Sequence, residues 1–175
     1  TVYYAIWKAV SGYDFTVANL TYRFSNSHKG FNYSYDYQIP YSSYKLIYGD
    51  TVRAKYLYRQ NKGVWGGNCF GMASTSGMFN QVTSGVNVGQ FNANAVRVSD
   101  LNITDRNGEG ITACQMIEGM QVSQFDTAIG KTINKHWGNL SELTKTVDAV
   151  KTNGKPVMIT VYGPEGGHAL LGYEI

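Results

Sequence analysis

Charge is scarce in this chain. Asp, Glu, Lys and Arg make up 15% of the 175 residues while 43% are hydrophobic, a balance that excludes a disordered polyelectrolyte. Two cysteines are too few for a disulfide scaffold, and with three scattered histidines they lack the tight spacing of a zinc site, so no metal is expected. No apolar run approaches the roughly eighteen residues of a membrane span. The net charge is +3, and the Lys and Arg residues do not cluster, which argues against nucleic-acid binding. No cofactor is expected.

Glycine and aromatic residues are plentiful: there are 20 Gly, and aromatics make up 14% of the chain. Twelve of the 14 tyrosines fall between Tyr3 and Tyr58. This belt reads first as amphipathic packing on the protein body, with hydroxyls reaching water. Its functional alternative is a cleft wall for a peptide or glycan. Tyr33, Tyr35 and Tyr37 are expected to pack over the body.

Local patterns give an outline of the elements. Alternation over Phe15 to Phe24 predicts a short strand, and Gly30 to Pro40 reads as an ordered loop. Tyr41, Tyr44 and Tyr48 have helical spacing and stop at Gly49, after which Asp50 can cap a second helix to about Arg59. A glycine-rich break, Gly63 to Asn68, leads into a helix from Cys69 to about Thr83, whose small residues suit close packing. Val86 to Asp105 reads as irregular, with at most a short strand near Ala95–Val98. Helix followed by turn or strand is predicted within Ile111 to Lys135, and another helix from Asn139 to Asn153. Val157 to Tyr162 and His168 to Tyr173 read as strands joined by the turn Gly163 to Gly167.

Two glycine-flanked residues carry the chemistry. Cys69 opens a helix, where free N–H groups and the helix dipole favour thiolate. His168 begins a strand, and an imidazole beside that sulfur could take its proton and return it to a leaving amine. A substrate backbone could approach Gly66, Gly67 and Gly167 without meeting side chains. The bland reading of Cys69, a small buried apolar residue, stands beside this one. Cys114, among Ala113, Met116 and Ile117, reads as inert.

Asn68-Cys69-Phe70-Gly71-Met72-Ala73, followed by Gly166-Gly167-His168-Ala169-Leu170, resembles the papain-like cysteine proteases, in particular compact bacterial members of the staphopain and streptopain type. The resemblance covers roughly Gly63 to Tyr173. It implies an α+β fold in which a helical half carrying the cysteine helix packs on an antiparallel β half carrying the histidine. Residues 1–62 would form a Tyr-rich segment packed on a catalytic core of residues 63–175. It also implies peptide-bond hydrolysis through a thioester acyl-enzyme, with Cys69 as nucleophile and His168 as base and then acid.

The pattern departs from the family at two points. The family's oxyanion Gln lies about six positions before the cysteine, whereas Gln60 lies nine before it, so Asn68 is the alternative side-chain donor. The orienting Asn or Asp that follows the histidine in the family has no counterpart before Ile175. This leads to the expectation of a second chain from the same precursor, pairing with the His168 strand and supplying that residue. The opening Thr1 and the composition give the further expectation of a processed, secreted or cell-surface bacterial protein. An inactive binding module using the aromatic surface, or a Cys/His amidase or acyltransferase acting on a non-protein substrate, remain the alternatives.

Overall fold

Proline and threonine set the first two substantial helices of the computed structural model, which describes residues 17–80, 84–129, 131, 141, 144–145, 148, 157–164 and 166–172. Two single turns, α1 (Val17–Leu20) and α2 (His28–Phe31), precede them. Pro40 is the N-cap of α3 (Tyr41–Tyr48), which Gly49 closes at φ 66°. Helix α4 (Val52–Asn61) starts at Thr51, whose hydroxyl accepts the Ala54 N–H at 3.2 Å. The expected cap, Asp50, instead accepts the Tyr41 hydroxyl at 2.8 Å.

The strand predicted over Phe15 to Phe24 is not formed in its described part, residues 17–24, which is the α1 turn followed by irregular chain. Its backbone is fastened to a helix instead of a neighbouring strand. Ser76 Oγ donates to the Leu20 carbonyl at 2.6 Å, and Asn80 Nδ2 donates to that of Asn19 at 3.0 Å. The apolar alternation serves ring packing, with Tyr22 and Phe24 centroids 4.9 Å apart.

Helix α5 (Cys69–Phe79) is buried on several sides, which explains its lack of a polar face. Its expected extension to Thr83 lies outside the described residues beyond Asn80. The stretch predicted to be irregular, Val86 to Asp105, holds two 3₁₀ turns, Val88–Gln90 and Val98–Asp100, in place of a strand at Ala95–Val98. Helix α6 (Ala113–Ser123) opens with a reciprocal cap: Thr112 Oγ1 accepts the Gln115 N–H at 3.0 Å, and Gln115 Oε1 accepts the Thr112 N–H at 2.9 Å. Of the helix expected from Asn139, Ser141, Thr144, Lys145 and Asp148 are helical, and the rest lies outside the described residues, as do Tyr173 and Glu174.

The strands β1 (Val157–Gly163) and β2 (Gly166–Gly172) form an antiparallel hairpin in which Val161 pairs with His168 and Gly163 with Gly166. Its turn is tighter than expected, and Gly166 there takes a φ of 121° that suits glycine. The described residues are therefore α+β: helices with one two-stranded antiparallel sheet.

Three apolar clusters hold these elements. Tyr22, Phe31 and Trp65 pack with Phe91, Val98, Leu101 and Ile117. Tyr44, Ala54, Leu57 and Val122 join α3, α4 and α6. Phe70 and Ala73 of α5 meet Ala169 of β2, with Met158 and Leu171 alongside. The hairpin thus lies on the cysteine helix. A buried carboxylate ties the tyrosine belt to α6: Glu118, 2% exposed, accepts hydroxyl protons from Tyr33, from Tyr37 at 2.5 Å and from Ser43 at 2.6 Å. Tyr33 and Tyr37 stack at 3.7 Å between centroids. Tyr35, expected to pack with them, is 86% exposed, because its neighbours' hydroxyls turn inward to Glu118 while it faces outward.

Candidate active site

The chain before Cys69 is held by residues from far earlier in the sequence. The Trp65 N–H donates to the Tyr37 carbonyl at 2.8 Å, and the Asn68 N–H donates to Asn26 Oδ1 at 2.7 Å. Gly67, at φ 125°, sits against the Asn26 side chain, where a Cβ would come within 3.1 Å of Nδ2. The Trp65 ring meets His28 edge-on at 4.8 Å and Tyr33 at 5.2 Å. The aromatic belt therefore supports the loop that presents the cysteine.

Cys69 is the first residue of α5, and the N–H groups of Cys69 and Phe70 have no acceptor among the described residues. The next one, that of Gly71, donates to Gln121 Oε1 on α6 at 2.9 Å. Glycine is required there: a Cβ on Gly71 would lie 2.0 Å from the Ile117 carbonyl oxygen. The first turn of α5 is thus pressed directly against α6.

In β2 the pleat sends Ala169 into the contact with α5 and leaves His168 exposed. Cys69 and His168 both line one cleft of about 350 Å³. No hydrogen bond joins the two side chains among the described residues, and none ties the His168 ring to another side chain. Gly66, Gly67 and Gly167, the three glycines singled out for substrate approach, all line the cleft. Its apolar wall includes Ile39, Tyr44, Phe70 and Phe125, and Lys62 is its charged residue.

The two oxyanion candidates fare differently. Gln60 lies on the exposed face of α4 and is not part of the cleft lining, because helical spacing turns it away while Asn61 faces in. Asn68 adjoins Cys69 but is fully buried and also absent from the lining. Its Oδ1 accepts the Trp65 Nε1–H at 3.0 Å, and its Nδ2 has no partner among the described residues. The side chain is committed to holding the loop. Gln121, which sequence reasoning passed over, lines the cleft. The one signal for it was a polar residue on the buried side of α6.

Cys114 sits apart, in the Glu118 network, with its sulfur 3.1 Å from the Tyr33 hydroxyl. Burial, and then the Glu118 carboxylate, push its thiol up to about 11. Both cysteines are free. Among the described residues no group of His, Cys, Asp and Glu could hold a metal ion, and no helix is long and apolar enough to cross a membrane. Comparisons with protein families, with curated proteins and with solved structures yield no match to this chain.

Proposed function

We propose that the chain is a papain-like cysteine endopeptidase. The observation that carries this reading is the meeting of Cys69, on the N-terminus of α5, and His168, on β2, in one glycine-rimmed cleft. In the reaction, Cys69 Sγ bonds to the substrate carbonyl carbon as His168 takes the thiol proton. The C=O electron pair moves onto oxygen and then re-forms the carbonyl. The C–N bond breaks and its nitrogen receives the proton from His168. Water, deprotonated by His168, then cleaves the thioester and restores the Cys69 thiol. Free N–H groups at the start of α5 suit both a thiolate and the oxyanion.

An Asn or Asp from outside the described residues would orient the His168 ring. The lack of a partner at that ring among the described residues also favours a second reading, an inactive papain-like module that binds peptide in the same cleft.

Labelling with an epoxysuccinyl peptide separates the two. The protease reading expects one adduct, mapped to Cys69, and hydrolysis of labelled casein that both Cys69→Ala and His168→Ala abolish. An adduct on neither cysteine, or casein hydrolysis that survives Cys69→Ala, refutes it.

A further inference from the structure

A cysteine acyl-transfer site needs a donor aimed at the oxygen that gains charge, and the donor must be held before the reaction begins. Backbone N–H of Cys69 can supply one such bond. For the second, four amide side chains adjoin the nucleophile or line its cleft, Asn61, Asn68, Gln121 and Gln124, and their hydrogen bonds discriminate among them. Asn68 is enclosed, with its oxygen on Trp65. Asn61 and Gln124 line the cleft, but Asn61 Nδ2 is held by the Leu57 carbonyl at 2.8 Å and Gln124 Nε2 by the Gln121 backbone carbonyl at 2.9 Å. Gln121 differs from these three.

The carbonyl end of the Gln121 side chain is pinned by the Gly71 N–H, which fixes the amide orientation, since only oxygen can accept there. The Nε2 group has no acceptor among the described residues, and it is not sealed from solvent as Asn68 Nδ2 is. Gln121 is 8% exposed, and it contributes to the wall of the cleft that holds Cys69 and His168. A donor that is oriented by one bond, unspent at its other end and placed at the nucleophile's cleft is preorganised for an anion.

We infer that Gln121 Nε2 is the side-chain oxyanion donor of this site, supplied by α6 and locked in place by the backbone of the cysteine helix. The inference rests on the hydrolase reading above. It gives the α5–α6 contact a catalytic consequence, because the bond that closes the helix end also aims the donor.

Gln121→Glu tests it: the carboxylate can still accept the Gly71 N–H, but the donor is gone. Two rates are compared for the full chain. One is acetyl transfer from p-nitrophenyl acetate to Cys69, with the Cys69→Ala rate subtracted. The other is alkylation of Cys69 by iodoacetamide, which passes through no oxyanion. Their ratio cancels any change in the thiol itself. At about pH 8, Gln121→Glu should lower the ratio of acetylation to alkylation by about tenfold or more. The ratio should recover as pH falls toward the ordinary Glu range near about 4.3, where the carboxyl regains a proton to donate. Thermal unfolding of the same variant checks that it is folded, and Gln121→Met, which removes both ends, should lower the ratio without any recovery in acid. A ratio unchanged from wild type at pH 8 in a folded variant overturns the inference and leaves the hydrolase reading standing. Wild-type protein with no Cys69-dependent acetylation and no epoxysuccinyl adduct overturns the hydrolase reading and this inference with it.

Discussion

Two glycines of α5 should respond in opposite directions to the same substitution. Alanine has the higher helix propensity, so Gly→Ala inside a helix is favoured by about 0.5–1 kcal/mol if nothing else changes. At Gly77 little else changes: the new Cβ would meet Leu171 Cδ1 at 3.5 Å, an ordinary contact. Gly77→Ala should stabilise by roughly that amount. At Gly71 the Cβ would stand 2.0 Å from the Ile117 carbonyl oxygen and 3.0 Å from the Gln121 nitrogen, both backbone atoms. Relief requires α5 and α6 to part, at an overpacking cost of about 1–3 kcal/mol. The parting also strains the Gly71–Gln121 hydrogen bond, a further loss of about 1 kcal/mol. After the propensity gain, Gly71→Ala should be less stable than wild type by about 2 kcal/mol. Urea unfolding with linear extrapolation measures both variants, and the midpoint is the quantity to compare if the slope is unchanged. Gly71→Ala at or above wild-type stability would refute the close approach of the two helices, whatever Gly77→Ala does.

Two further outcomes follow from the ionisable groups. Cys114, pushed up to about 11 by burial and by Glu118, should be about one part in a thousand thiolate near pH 8, so iodoacetamide should modify Cys69 well before it; peptide mapping reads the order, and faster labelling of Cys114 contradicts the buried network. Burial raises the phenols of Tyr22, Tyr33, Tyr37 and Tyr44, the last to about 12. In the unfolded chain these groups ionise near the usual value of about 10, so the fold binds the extra protons above that pH. Their contribution to stability is complete below about pH 10 and is lost as pH rises, through about 12 for Tyr44 and at higher pH for Tyr22, Tyr33 and Tyr37. Phenolate absorbance should therefore titrate in two stages, with the later one coinciding with unfolding by circular dichroism; a single stage near pH 10 in the folded protein would contradict the inward-facing belt.

What could be read from the sequence was what local chemistry determines. Pro40 and Gly49 bound α3 as punctuation does in any chain, and Val157 to Tyr162 needs only its branched residues to read as a strand. Cys69 and His168 were legible because each carries its signal beside it, in glycines that line the cleft and in the element that follows. The alternation of Phe15 to Phe24 misled for a physical reason. A strand needs a partner, and the carbonyls of Asn19 and Leu20 found Asn80, just after α5, and Ser76 on it instead. Asp50 lost the cap of α4 to Thr51 by one position, since both residue types serve and only the backbone decides between them.

The side-chain donor inferred at Gln121 was illegible for a deeper reason. A search upstream of the cysteine finds Gln60 by counting positions, but a count of residues does not say which face of a helix they occupy, and α4 turns Gln60 to solvent. Gln121 stands fifty positions after Gly71 and reaches it only because two glycine-permitted surfaces meet: Gly71 on α5 accepts the backbone of α6, and on α6 a Cβ at Gly119 would stand 3.1–3.3 Å from the Leu46 and Ile47 side chains near the end of α3. The same holds for the loop before Cys69, positioned by Asn26 and Tyr37. The proposed nucleophile and base are thus written locally, whereas the groups that position the Cys69 loop are properties of packing. Under the proposed hydrolase reading, a chain of this kind can keep its Cys and His motifs through a change in helix packing and still lose its chemistry. Substitutions at Gly71, Asn26 or Trp65 should therefore lower casein hydrolysis while leaving Cys69 and His168 in place; hydrolysis unchanged by all three would contradict the positioning role of packing.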